Sequence, residues 1–163
     1  MFEDLNNRKR NPFPKRLQWE FDDNAHGTVD WLNTIKLDTV KKIKVSHKPI
    51  NFEIIKWLKL DDNDNVVAID ANKKAFDFPR QSGRIVADYQ DNVFAITTSK
   101  IASFSIYISP EMVDLSKPVK VIVNNVLVFE KSIGFNEAFM INQWNANMDR
   151  LQLWINYINI TVD

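Results

Sequence analysis

The sequence predicts an all-β fold, an antiparallel sandwich of about nine or ten strands with one short helix near the C-terminus. Three observations lead to this prediction. Apolar and polar residues alternate with period two from residue 16 onward, which is the pattern of half-buried strands. Turn-forming residues separate these segments at spacings of about 8–12 residues. Only one segment, at about residues 135–147, has helical spacing instead.

The strands are assigned from apolar residues that share one face. Two such groups come first: Leu17, Trp19 and Phe21, then Val29, Trp31, Ile35 and Leu37. Further strands are predicted at residues 41–47, 52–60, 66–71, 84–90 and 93–98. The clearest alternation follows, in which Phe104, Ile106 and Ile108 point one way while the intervening serines and Tyr107 point the other. Val119, Val121 and Val123 repeat this pattern.

The C-terminal part is predicted as a hairpin, a helix and a last strand. Asn124-Asn125 suits a two-residue turn with positive φ, so residues 126–133 are the return strand. Asn136 is the expected helix cap, and Ala138, Ile141, Trp144 and Met148 are expected to face the core. Residues 151–162 are apolar on both faces, as expected for a strand that the helix covers. Trp19, Trp31 and Trp154 are likewise predicted to be core residues.

The length and composition suit one folded domain without metal or disulfide support. A chain of 163 residues fits a single sandwich domain at 16–163, preceded by a linker or tail at 1–15. That linker is basic and contains Asn11-Pro12-Phe13-Pro14, where the prolines favour an extended backbone. Twenty-one cations balance 21 anions, so the net charge of zero argues against a nucleic-acid partner.

Most catalytic templates lack their residues in this chain. There is no Cys, and the three Gly lie too far apart for a phosphate-binding loop. The two histidines, His26 and His47, are interpreted as a turn residue and a strand-end residue, because neither has the positioned partner that general-base catalysis needs. We therefore expect no catalytic residue, no enzyme activity and no cofactor.

An acidic turn offers the one candidate metal site. Asp61, Asn63 and Asn65 occupy the first three ligand positions of a calcium loop, but Val66 replaces the required Gly and Asn72 the closing Glu. Asp and Asn also hydrogen-bond their own backbone in turns. A solvated hairpin turn is therefore the favoured interpretation, and a weak calcium site is the alternative.

Two aromatic side chains are candidate ligand-binding residues. Trp57 shares its strand face with Glu53 and Lys59, and Tyr107 is flanked by serines. Both are therefore expected to be exposed, and exposed aromatic rings can stack on sugars. Carbohydrate is the possible ligand.

One stretch carries a resemblance to a known family. Residues 106–125 contain Ser109-Pro110-Glu111, then Val113-Asp114-Leu115, Lys117-Pro118-Val119 and the Asn124-Asn125 turn. This stretch resembles a strand, turn and hairpin in the C-terminal β-sandwich domain of large bacterial α/β-hydrolase-like esterases and peptidases. In that comparison Asn125 replaces the usual Gly. Residues 11–19, 26–32 and 135–162 are similar to other parts of the same domain.

The resemblance implies an Ig-like accessory domain without catalytic residues of its own, since the catalytic serine of such proteins belongs to the preceding hydrolase domain. It implies a partner, the catalytic hydrolase domain of the parent chain, and a periplasmic or extracellular location. The chain itself begins Met1-Phe2-Glu3-Asp4, without the features of a secretory signal, and has no apolar run long enough to span a membrane. The expected function is that of a non-catalytic accessory module that packs on the catalytic domain, and a carbohydrate-binding module is the alternative.

Overall fold

Ten strands and one helix make up the computed structural model, which describes residues 10–38, 40, 51–76 and 82–162. The strands are β1 (Arg16–Phe21), β2 (Leu32–Leu37), β3 (Glu53–Leu60), β4 (Val66–Lys74), β5 (Gly83–Gln90), β6 (Val93–Ser99), β7 (Ile101–Ile108), β8 (Val119–Val123), β9 (Val126–Lys131) and β10 (Asn156–Thr161). The helix α1 spans Glu137–Asn147, and a single 3-10 turn spans Asn24–His26. The all-β prediction with one helix near the C-terminus is confirmed.

The strands form a five-stranded, a three-stranded and a two-stranded sheet. The larger sheet has the order β1-β5-β6-β8-β9, and the second has the order β10-β7-β2. All neighbouring strands are antiparallel except β6 and β8, which run parallel. Between β6 and β8 the chain crosses to the other sheet as β7 and then returns, so β8 runs in the same direction as β6. Among the described strands, β3 and β4 pair only with each other. The architecture is a sandwich with an additional hairpin.

One apolar core joins the two larger sheets. Its largest fully buried side chains come from both sheets and from the residue before β2: Trp31, Phe94, Phe104, Leu32, Ile35, Ile85 and Ile106. The Trp31 ring packs edge-on against Tyr89 and Phe94, with ring centroids 5.6 and 5.5 Å apart. Each such side chain contributes about 1.5–3 kcal/mol by leaving water. Core positions were predicted correctly for Trp31 and Trp154, while Trp19 is half-buried.

Asparagine and aspartate provide the left-handed backbone positions of this fold. Among the residues that the structure describes, ten non-glycine residues have positive φ, and seven of these are Asn or Asp, whereas none of the three glycines does. The predicted turn at Asn124-Asn125 is confirmed, with φ of 49° and 68°. Asn124 Oδ1 also accepts a hydrogen bond of 2.9 Å from the Thr98 backbone N–H. Short polar side chains tolerate this conformation best after glycine, so the scarcity of glycine does not limit the turns.

The last residues of the predicted linker are attached to the sandwich. The Pro14 carbonyl accepts a hydrogen bond of 2.9 Å from Trp31 Nε1, and the Phe13 carbonyl accepts one of 2.9 Å from the Tyr89 hydroxyl. The Phe13 ring packs edge-on against Trp154 at 5.6 Å. Residues 10–15, which we call the N-terminal segment, therefore lie against the domain.

Several element predictions need correction. The helix was expected to bury Ala138, Ile141, Trp144 and Met148, but all four are exposed. The half-buried side chains are instead those of Phe139, Met140 and Gln143. The cause is that Phe139 packs between Tyr107 and Tyr157, with centroid distances of 5.0 and 4.9 Å, and this contact fixes the rotation of the helix.

Other differences concern strand ends. The last strand begins at Asn156, so Leu151 and Leu153 are exposed rather than in a buried strand. Val29 forms only an isolated bridge with Leu32, since the backbone turns at Asp30. The predicted strand at residues 41–47 and His47 lie outside the described residues. Within the described part, the structure contains no helix of the length and apolarity that a membrane crossing requires.

Candidate functional site

Five exposed apolar side chains lie on α1 and on the chain that follows it. They are Ile141, Trp144, Met148, Leu151 and Leu153, and together we call them the helix surface. Met148 and Leu151 are 71% and 70% exposed, and Trp144 is 41% exposed. Residues 141, 144 and 148 recur at helical spacing and lie on one side of α1.

Local hydrogen bonds fix the position of this helix. Asn136 caps it, with its side-chain oxygen accepting from the Phe139 backbone N–H at 3.1 Å, while its own N–H donates to the Ile155 carbonyl at 2.9 Å. At the other end Met148 adopts the left-handed conformation, with φ of 49°, and donates its N–H to the Trp144 carbonyl. Both ends of α1 are therefore defined, and the apolar side chains are presented on a fixed backbone.

The N-terminal segment lies beside the helix surface. Arg10 forms an ion pair with Asp149 and donates a hydrogen bond of 3.0 Å to Gln152. Gln152 in turn donates to the Pro12 carbonyl at 3.2 Å. Bonding to the Leu151 backbone N–H, and secondarily to Arg10, lowers the pKa of Asp149. The ion pair keeps the entry of the chain next to Met148 and Leu151.

Chemically, the helix surface can bury apolar area against a partner but offers few polar groups for catalysis. Contiguous apolar side chains with a polar border are typical of protein contact sites. Trp and Met are enriched at such interfaces, and Trp is a frequent centre of binding energy. The sequence placed Trp144 in the core, and the only signal for its exposure was the Asn-rich composition of the helix.

A second concave feature lies at one end of the sandwich. A cavity of about 500 Å³ is lined by the β5–β6 turn, by the connection between β7 and β8, and by Lys15. Asn92 and Asp114 on its wall bind each other: Asn92 Nδ2 donates to the Asp114 carbonyl at 2.7 Å, and the Asp114 N–H donates to Asn92 Oδ1 at 2.8 Å. These two residues therefore hold the β5–β6 turn against the connection between β7 and β8.

Asp114 forms an Asx turn with Ser116. Its carboxylate accepts from the Ser116 hydroxyl at 2.6 Å and the Ser116 backbone N–H at 3.0 Å, and it pairs with Lys117 at 3.1 Å. These bonds, the Ser116 hydroxyl first, lower the pKa of Asp114 to about 2. The carboxylate is therefore a structural anion and is unsuited to proton transfer near neutral pH.

The two candidate aromatic residues lie on different sheets. Trp57 is 44% exposed on β3, where the Lys73 ammonium lies over its ring, 4.7 Å from the centroid. Tyr107 was expected to be exposed, but it is half-buried at the centre of the three-stranded sheet, because Phe139 and Trp154 pack edge-on against it. Burial raises the pKa of Tyr107, although a hydrogen bond with Gln143 opposes this effect. Sugar stacking thus has one half-exposed ring available, and the carbohydrate hypothesis stays a prediction.

The candidate calcium residues form a hairpin turn. Asp61 Oδ1 accepts from the backbone N–H groups of Asn63 and Asn65, each at 2.9 Å, and Asp61 Oδ2 accepts from the Asn65 side chain at 3.3 Å. The Asn65 backbone bond is the main cause of the lowered pKa of Asp61. Both carboxylate oxygens of Asp61 thus accept hydrogen bonds within the turn. The weak calcium site stays an alternative prediction.

The described residues contain no group of three or more His, Asp or Glu side chains that could hold a metal ion. His26 lies at the end of the 3-10 turn between β1 and β2, as predicted, and its carbonyl accepts a hydrogen bond of 2.8 Å from Trp19 Nε1. Neighbouring Gly27 faces the Ile35 backbone so closely that a Cβ atom would overlap with it. This histidine therefore belongs to a tightly packed turn.

Fold and surface together define a β-sandwich protein whose most prominent features are exposed apolar side chains. Comparison of the chain with protein families, with curated proteins and with solved structures finds no match.

Proposed function

We propose that this protein is a non-catalytic interaction module that packs on a neighbouring catalytic domain through its helix surface. The observation that carries the proposal is the position of that surface. Five exposed apolar side chains lie on a fixed helix and the chain that follows it, next to the N-terminal segment that connects the sandwich to whatever precedes it. A domain attached through this segment would start close to the surface on which it docks.

The sequence resemblance supplies the identity of the partner within this proposal. The partner is an α/β-hydrolase-like esterase or peptidase domain of the same parent chain, and the protein works in the periplasm or outside the cell. Docking would bury Trp144 and Met148, and Arg10 and Asp149 would form part of the polar border. Such a border around apolar contacts is the usual arrangement of an interface.

The test begins with the coding sequence upstream of Met1. If it continues in frame into a hydrolase domain, that domain is produced separately and its binding to the present chain is measured by calorimetry. Trp144→Asp combined with Met148→Asp is expected to weaken binding at least tenfold. The matched control is Leu127→Asp, an exposed apolar position on the edge strand β9, which should bind like the wild type.

Three outcomes would contradict the proposal: an upstream sequence without a hydrolase domain, a separately produced domain that does not bind, or hydrolysis of p-nitrophenyl esters by the purified chain at enzyme-like rates. The carbohydrate alternative predicts instead that the chain binds to a glycan array and that Trp57→Ala abolishes the signal.

A further inference from the structure

The helix α1 is held on the sandwich by few side chains. None of its eleven residues is fully buried, and its half-buried apolar side chains are those of Phe139 and Met140. An isolated helix of this length is marginal in water, so α1 depends on these contacts for its stability. Elements with few buried contacts open locally before the whole domain unfolds. The helix surface is therefore carried by an element that loosens easily.

Four aromatic rings in consecutive contact connect α1 to the N-terminal segment. We call them the aromatic row, and its members are Phe139, Tyr107, Trp154 and Phe13. Phe139 packs against Tyr107 with 5.0 Å between the ring centroids, and Tyr107 packs against Trp154 with 5.8 Å. Trp154 in turn packs against Phe13 with 5.6 Å, and it is only 4% exposed. Loss of the Phe13 ring would therefore uncover one side of Trp154 and free it to move.

Polar contacts connect the same two regions at both ends of the helix. Ile155, the residue after Trp154, accepts a hydrogen bond of 2.9 Å from the N–H of the helix cap Asn136. A shift of Trp154 would therefore displace the residue to which the start of α1 is attached. Beyond the other end of the helix, Asp149 forms the ion pair with Arg10 of the N-terminal segment. Contacts of the segment thus reach both ends of α1.

We propose that the N-terminal segment is a latch for the helix surface. In its seated position the segment stabilises α1 through the aromatic row, and its release loosens the helix. The role of the latch rests on the proposed function, because a partner that docks on the helix surface needs Trp144 and Met148 on an ordered backbone. A loosened helix must be ordered again on binding, which lowers the affinity. Coupling between two sites is reciprocal, so docking on α1 also favours the seated segment.

Hydrogen exchange of the backbone amides in the purified chain tests the latch without any partner. Phe13→Ala should speed exchange in α1 at least fivefold, while the amides of β6 and β8 change by less than twofold. The matched control is Phe129→Ala on β9, whose ring is also half-buried and packs against the core but does not belong to the aromatic row. It should leave exchange in α1 within twofold of the wild type. Unchanged exchange in α1 of Phe13→Ala, or equal acceleration in α1 and β6, would overturn the proposal.

Double substitutions test whether the rings carry this coupling. Tyr107→Leu interrupts the aromatic row, so in this background Phe13→Ala should change exchange in α1 by less than twofold. Tyr107→Phe keeps the ring, so in that background Phe13→Ala should retain its full effect. Equal effects of Phe13→Ala in the two backgrounds would show that the rings do not connect the segment to the helix.

Binding to the separately produced hydrolase domain distinguishes the latch from the docking function. Phe13→Ala should weaken this binding at least threefold, and Phe129→Ala should not. If the wild type does not bind, the docking function is wrong, and the exchange measurements on the free chain still decide whether the latch exists. If the wild type and Phe13→Ala bind equally well, the docking function stands and the latch is wrong.

Discussion

Replacement of Asn92 tests how much a single turn residue contributes to this fold. Asn92 is 8% exposed and has a φ of 64°. Its side chain makes two short hydrogen bonds with the Asp114 backbone, of 2.7 and 2.8 Å, which tie the β5–β6 turn to the connection between β7 and β8. Asn92→Ala removes both bonds, which lowers the free energy of unfolding by about 2 kcal/mol. It also forces a residue that has a Cβ atom but no polar side chain into the left-handed region, which lowers the free energy of unfolding by about 1 kcal/mol more.

The expected loss is therefore about 3 kcal/mol in the free energy of unfolding, or a decrease in Tm of about 6–12 °C for a domain of this size. Urea denaturation followed by tryptophan fluorescence measures it. Asn92→Gly separates the two contributions, because it loses the bonds but adopts positive φ without strain, so its loss should be smaller by about 1 kcal/mol. Asn145→Ala, at an exposed position on α1, is the control, expected within about 0.5 kcal/mol of wild type. A loss below about 1 kcal/mol for Asn92→Ala, or equal losses for Ala and Gly, would refute this reasoning.

Three further predictions concern other parts of the sandwich. Gly27→Ala places a Cβ against the Ile35 backbone, which cannot move aside as a side chain can. Thermal denaturation should therefore show a free energy of unfolding lowered by at least about 3 kcal/mol, or no folded protein. A variant as stable as the wild type would contradict the close approach. The pKa of Asp114 is about 2, below its ordinary value of 3.8, so the ionised carboxylate stabilises the fold fully above about pH 3.8 and this effect is lost as the pH falls through 2. Over this range the stability of Asp114→Asn should therefore decline less than that of the wild type in an acid titration. An identical decline would contradict the lowered pKa. Tyr89→Phe removes the hydrogen bond to the Phe13 carbonyl, which should lower the free energy of unfolding by about 1 kcal/mol. Limited proteolysis in the N-terminal segment should become faster. Unchanged cleavage would show that this bond does not hold the segment.

The sandwich was predictable because each signal for it is local. Alternation along β7 and β8 reports directly which side chains face inward, and Phe104, Ile106 and Val121 are indeed buried. The Asn124-Asn125 turn and the Asn136 cap are likewise read from adjacent residues, since both features depend on hydrogen bonds within a few positions.

The candidate site was not predictable, because it depends on contacts between distant segments. The rotation of α1 is set by Phe139 against Tyr107 and Tyr157, and helical spacing alone favoured the opposite face, with Trp144 in the core. The pairing of β3 with β4 in a sheet apart from the other described strands had no local signal either, because alternation identifies a strand without identifying its sheet. Exposure of apolar residues, the basis of the proposed function, is thus a property of tertiary structure.

The attachment of the N-terminal segment has a mechanical consequence. Trp31 and Tyr89 lie in the core, and both donate hydrogen bonds to the backbone just ahead of β1. A pull applied to the chain at Phe13 or Pro14 would therefore reach the core through these two hydrogen bonds, before it loads the pairing of β1 with β5.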